Sequence, residues 1–176
     1  MTLAGKKIVI TGAAGALGAG VAQVAHSQGA EVVLLDVVEG FTSELGQTHS
    51  VDLLNAQAVQ SVFDAIGDVD VLATIAGGFA MGPTVDATAD DFWQRMFDIN
   101  VTTLRRVLGE AVPVMIARGR GSIINVGAVG AIQGSANMSA YQASKATVMR
   151  LTESLSEEVK GAGVNVNAVL PSVIDT

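Results

Sequence analysis

Apolar runs of strand length alternate along this chain with longer stretches whose apolar positions recur at helical spacing. Lys7 to Thr11 predicts a first strand, and Ala16 to Gln28 a helix that Gly29 ends. Glu31 to Asp36, rich in Val and Leu, predicts a second strand, and Thr48 to Leu53 a weaker third. Between them, Val37 to Gln47 is short and punctuated by glycine, so any helix there is small. Asn55 is placed to cap a helix reaching about Ile66. Val69 to Ala76 is the fourth strand, Ser122 to Val126 the fifth, and Val164 to Leu170 the sixth, closed by Pro171. Long helices are expected over Asp90 to Ala117, perturbed at Pro113, and over Ser139 to Lys160. Repeated strand–helix–strand units predict an α/β domain: a doubly wound parallel sheet with helices on both faces.

Composition narrows the function classes. Hydrophobic residues make up 49% of the 176, against 15% charged, which suits a sheet covered on both faces rather than a disordered chain. The net charge of −7 argues against nucleic acid and acidic membranes as partners. Cysteine is absent, which excludes disulfides and thiolate metal sites. His26 and His49 have no ligand cluster at metal spacing, so no metal is expected. No run of 18 apolar residues and no signal-peptide layout is visible, so a cytoplasmic protein is the expectation. Residues 1–176 read as one domain.

The first strand runs into Thr11-Gly-Ala-Ala-Gly-Ala-Leu-Gly18 and then a helix. Gly12, Gly15 and Gly18 permit a tight turn and close approach of a diphosphate. The backbone N–H groups of Ala16 and Leu17 at the helix start offer donors and a partial positive charge. Asp36 closes the second strand at about the spacing expected for a carboxylate that binds ribose hydroxyls. It would repel a 2′-phosphate, and no Arg or Lys follows to receive one, so NAD is the cofactor expected.

Tyr141 and Lys145 stand four apart near the start of a helix, so both side chains share a face. An ammonium beside the phenol should lower its pKa from about 10. Such a tyrosine can give or take a proton at a carbonyl or alcohol oxygen.

Taken together, Gly12 to Gly18, Asp36, Asp52-Leu53, Ala76-Gly77, Asn100, Tyr141 with Lys145, and Pro171 to Thr176 resemble the short-chain dehydrogenase/reductase family over essentially the whole chain. The resemblance implies a Rossmann-type sheet of order 3-2-1-4-5-6. It implies hydride transfer between a nicotinamide and a small-molecule substrate, with Tyr141 as general acid/base, Lys145 on the nicotinamide ribose and Asn100 in the proton relay. Asp52 and Leu53 would contact adenine, Ala76, Gly77 and Gly78 would border its ribose, and Pro171, Val173 and Thr176 would line the nicotinamide. It further implies a homodimer or homotetramer built on helices 90–117 and 139–160. Family members usually continue past Thr176, so the substrate lid and last strand are expected to be missing from this sequence.

The departures are informative. The family's active-site serine position, thirteen before the tyrosine, is Ala128. Loss of one such hydrogen-bond donor costs about 10²–10³ in rate. Several features together are similar to dihydropteridine reductases: Gly12 to Gly18, Asp36-Val-Val-Glu39, Ala76-Gly77-Gly78 before Phe79, Gly127-Ala128, and Ala168-Val-Leu-Pro171. A quinonoid pterin-like substrate takes hydride without a carbonyl clamp. Asp98-Ile-Asn100-Val looks instead like the ordinary family. Two other readings stay open: a dinucleotide-binding sensor or scaffold with little turnover, and an NAD-dependent sugar epimerase or dehydratase.

Overall fold

The computed structural model describes residues 2–173. Its strands are β1 (Lys7–Thr11), β2 (Glu31–Asp36), β3 (Gln47–Ser50), β4 (Val71–Thr74), β5 (Gly121–Val126) and β6 (Val164–Val169). All pair in parallel, in the order β3-β2-β1-β4-β5-β6. Ile8 to Thr11 and Val32 to Leu35 are buried without interruption, because alternate side chains feed two cores rather than one core and solvent. β3 is short and polar, as befits the open edge of a sheet.

The helices are α1 (Ala16–Ser27), α2 (Ala56–Ile66), α3 (Asp90–Phe97), α4 (Thr103–Arg118) and α5 (Ser139–Val159). The larger core packs Val9, Val33, Leu35, Leu72 and Ile123 of the sheet against α2, α4 and α5. The smaller packs Ile8, Ile10, Val32 and Leu34 against Ala22 and Ala25 of α1. Asn55 caps α2 as expected, its Oδ1 accepting the Ala58 N–H at 3.1 Å. No small helix forms between β2 and β3.

Residues 90–118 depart from the single helix expected. A π-helical segment, Asp98–Thr102, separates α3 from α4, and the Thr103 N–H reaches back to the Asp98 carbonyl. α4 meanwhile runs unbroken through Pro113. The irregularity therefore lies three turns before the proline, where the wider turn carries Asn100 into the interior at 2% exposure.

β1 pairs with β2 on one side and β4 on the other, so the chain's crossovers leave in opposite directions at that point. A crevice must open at the C-terminal ends of these strands. The Thr11 hydroxyl ties the two walls together, accepting the Ile75 and Ala76 N–H groups at 3.1 Å each.

Candidate active site

The crevice is an open cleft of about 540 Å³, a size suited to a small-molecule cofactor. Its floor is the turn from β1 into α1. Gly12 adopts φ +68°, and a Cβ there would lie 2.7 Å from the Ala76 nitrogen, so only glycine fits between the two strand ends. Gly15 is the N-cap of α1 and has no side-chain cap. The N–H groups of Ala16, Leu17 and Gly18 therefore have no helical partner, and all three residues line the cleft. Such a helix start holds a diphosphate through main chain alone.

Asp36 stands on the rim. One carboxylate oxygen accepts the Ala14 N–H at 2.9 Å and the other the Val38 N–H at 3.1 Å. It thus braces the glycine turn while also facing the cleft. Ala76, Gly77 and Gly78 form the opposite wall.

Asn100 reaches that wall from the π-helical segment. Its Nδ2 donates to the Gly78 carbonyl and its Oδ1 accepts the Gly78 N–H, both at 3.0 Å. The same Nδ2 lies 3.1 Å from the Ser144 hydroxyl, which donates to the Tyr141 carbonyl at 2.7 Å. A continuous buried chain of hydrogen bonds thus links the cleft wall to the first turn of α5.

Tyr141 and Lys145 both line the cleft from α5. Lys145 is 7% exposed and donates to the Val126 carbonyl at 2.9 Å. Burial lowers its pKa to about 8. Burial raises the phenol of Tyr141. That is opposite to the expected direction: desolvation of the half-buried ring governs, and the Lys145 ammonium is committed to a main-chain oxygen. Phe79 meets the Tyr141 ring edge-on, with centroids 5.0 Å apart.

A second cavity of about 450 Å³ adjoins the first beyond Tyr141 and is lined by Phe79, Met138, Gln142 and Val173 among others. Gln142 pins its loop, accepting the Ser135 N–H at 2.9 Å and donating to the Gln133 carbonyl at 3.0 Å.

The structure thus gathers Gly12, Gly15 to Gly18, Asp36, Ala76 to Gly78, Tyr141, Lys145 and Pro171 around one cleft, with Asn100 behind its wall. Other expected residues lie elsewhere. Leu53 is buried in the larger core. The Asp52 carboxylate accepts the Leu54 N–H at 2.8 Å within its own turn. Val173 lines the second cavity and is 92% exposed. Thr176 lies outside the described residues. Sequence reasoning did not single out Thr11, Ser144 or Val126, and reached Ser172 only as part of the Pro171 to Thr176 stretch expected to line the nicotinamide. Ser144 carried a signal, since Tyr-x-x-Ser-Lys sets it one helical turn from Tyr141.

A glycine turn at a helix start, a carboxylate closing the second strand and a Tyr–Lys pair at the switch point define a dinucleotide-binding oxidoreductase domain. The family model described as short chain dehydrogenase matches residues 6–176, and the chain belongs to that family. It is 34% identical to the short chain dehydrogenase adrF of Penicillium rubens, over 96% of this chain and 69% of that protein. It is 36% identical to the 2-dehydro-3-deoxy-L-rhamnonate dehydrogenase (NAD(+)) of a Sphingomonas species, over 98% of this chain and 74% of that one. An NAD+-bound xylitol dehydrogenase superposes with a TM-score of 0.95 at 26% identity, covering 100% of this chain and 73% of that chain. Among the described residues no cluster of metal ligands occurs, and no helix is long and apolar enough to cross a membrane.

Proposed function

We propose that this protein is an NAD(H)-dependent oxidoreductase acting on a small carbonyl or alcohol substrate, with Tyr141 as its general acid/base. The observation that carries the reading is the placement of the Tyr141 side chain where the helix-start cleft meets a second, mostly apolar cavity. The residues present fit the cofactor. Three free N–H groups suit a diphosphate, and Asp36 suits ribose hydroxyls while opposing a 2′-phosphate. When bound, NADH supplies a hydride and leaves as NAD+, or the reverse.

The chain's own residues handle the proton. During reduction the carbonyl carbon gains the hydride, the carbonyl π pair moves onto oxygen, and Tyr141 gives that oxygen its phenolic proton. The raised pKa of Tyr141 keeps the phenol protonated at neutral pH, the form reduction needs. Lys145 gives one N–H to the Val126 carbonyl, and its two remaining N–H groups and charge are offered to a ribose and to the phenolate left behind. Asn100, Ser144 and the Tyr141 carbonyl fix the first turn of α5 against the cleft wall.

Ala128, 7% exposed between the two cavities, favours a second substrate reading: a quinonoid, pterin-like ring that accepts hydride without a carbonyl clamp. A panel of ketones, sugar lactones and a quinonoid dihydropterin, each assayed for NADH consumption, separates the two. Turnover on the pterin alone selects the second, turnover on carbonyls the first, and none on any of them defeats both. The dehydrogenase relatives weigh against a sensor without turnover. A shallow cleft of about 300 Å³ between α4 and α5, holding Leu108, Val112 and Leu155, supports a homodimer or homotetramer built on these helices, which light scattering would measure.

A further inference from the structure

Among the described residues, the cofactor cleft and the substrate cavity share four in their linings: Ala128, Tyr141, Pro171 and Ser172. Hydride transfer requires the two reactants in contact, so the reacting atoms must meet at this junction. Ala128 offers only a methyl group there. Pro171 has no N–H, and its carbonyl accepts the Val129 N–H at 3.1 Å. Among the described residues, the side-chain hydroxyls at the junction are therefore those of Tyr141 and Ser172. Resting on the function proposed above, we propose that Ser172 is a catalytic residue, its hydroxyl donating the second hydrogen bond to the substrate oxygen.

Chemistry asks for such a group. As hydride adds to a carbonyl carbon, negative charge grows on the oxygen, and a fixed donor aimed at it stabilises the transition state more than the ground state. Tyr141 transfers its proton and is left as the phenolate, so it cannot serve as the lasting donor as well. A hydroxyl that keeps its own proton fills that place. The other serines near the substrate cavity do not. Ser135 lines that cavity but not the cleft, with its N–H held by the Gln142 side chain, and Ser139 lines neither. The backbone at Ser172 is set by two bonds to the segment after β5, Gly127 N–H to the Val169 carbonyl at 2.9 Å and Val129 N–H to Pro171. The same two bonds hold Ala128 between them, so Ser172 and the position whose hydroxyl is missing line the same junction. The sequence thus restores from the end of β6 what it lacks after β5.

The test uses Ser172→Ala, Ser172→Thr and Tyr141→Phe beside the unmodified protein. For each, steady-state reduction of a carbonyl substrate is measured together with NADH affinity by fluorescence titration. Ser172→Ala should lower kcat by about 10²-fold with NADH affinity unchanged, and Ser172→Thr, which keeps the hydroxyl, should stay within about tenfold of the unmodified protein. Equal losses in the Ala and Thr variants, or a loss in kcat matched by a loss in NADH affinity, would overturn the role. Full activity in Ser172→Ala with an inactive Tyr141→Phe overturns the serine alone. Full activity in Tyr141→Phe, or no turnover by the unmodified protein, overturns the proposed function and this inference with it.

Discussion

Asn100 and Gly78 exchange two hydrogen bonds at 3.0 Å, side chain to main chain in both directions. The pairing fixes the orientation of the amide, since the Gly78 N–H needs an acceptor and its carbonyl a donor. It also fixes the cleft wall to the π-helical segment. Asn100→Ala leaves both Gly78 groups and the Ser144 hydroxyl short of a partner, and should cost about 1–3 kcal/mol in chemical denaturation. Activity should fall further than stability predicts, because the same bonds set the first turn of α5.

Gly77 lies against the same amide. A Cβ there would sit 2.7 Å from Asn100 Oδ1 and 3.4 Å from Lys145 Nζ. Gly77→Ala should therefore lower stability by about 1–3 kcal/mol through overpacking. Thermal unfolding checks it; an unchanged midpoint would mean the wall yields freely.

Asp36 braces the glycine turn and, in the function proposed above, accepts ribose hydroxyls and opposes a 2′-phosphate. Fluorescence titration should show NADH binding more tightly than NADPH. Asp36→Ala should narrow the gap chiefly by weakening NADH, since it removes the ribose acceptor and frees the Ala14 N–H. Equal affinities in the unmodified protein would refute the assignment.

Lys145 makes stability depend on pH. Burial holds its folded pKa at about 8, below the ordinary lysine value of 10.5. Below pH 8 the amine is charged in both states and the folded state bears the cost of burying it. Between pH 8 and 10.5 the unfolded chain binds a proton that the folded one has released, so stability rises with pH. The ligand-free protein should gain about 2–3 kcal/mol relative to Lys145→Met between pH 7 and 10. Urea denaturation of both across that range measures it; parallel curves would contradict the burial.

The outer frame of the fold was legible in the sequence, and the interior of the site less so. Strand–helix alternation and the glycine spacing from Gly12 to Gly18 gave the sheet and its phosphate turn, because those signals are local. The π-helical segment was not legible: Phe97, Val101, Leu104 and Leu108 keep helical apolar spacing across it, so the visible proline at 113 drew the expected perturbation instead. The direction of the Tyr141 shift needed burial, which spacing alone does not supply. Ser172 likewise gains meaning only when two cavities are seen to meet beside it.

In the proposed reaction Tyr141 moves the proton while the bound nicotinamide moves the hydride. NADH consumption by the unmodified protein and by Tyr141→Phe, with NADH affinity measured on the same preparations, tests it most directly. Tyr141→Phe should lower kcat by about 10²–10⁴ with affinity unchanged. Equal turnover by the two proteins would contradict it.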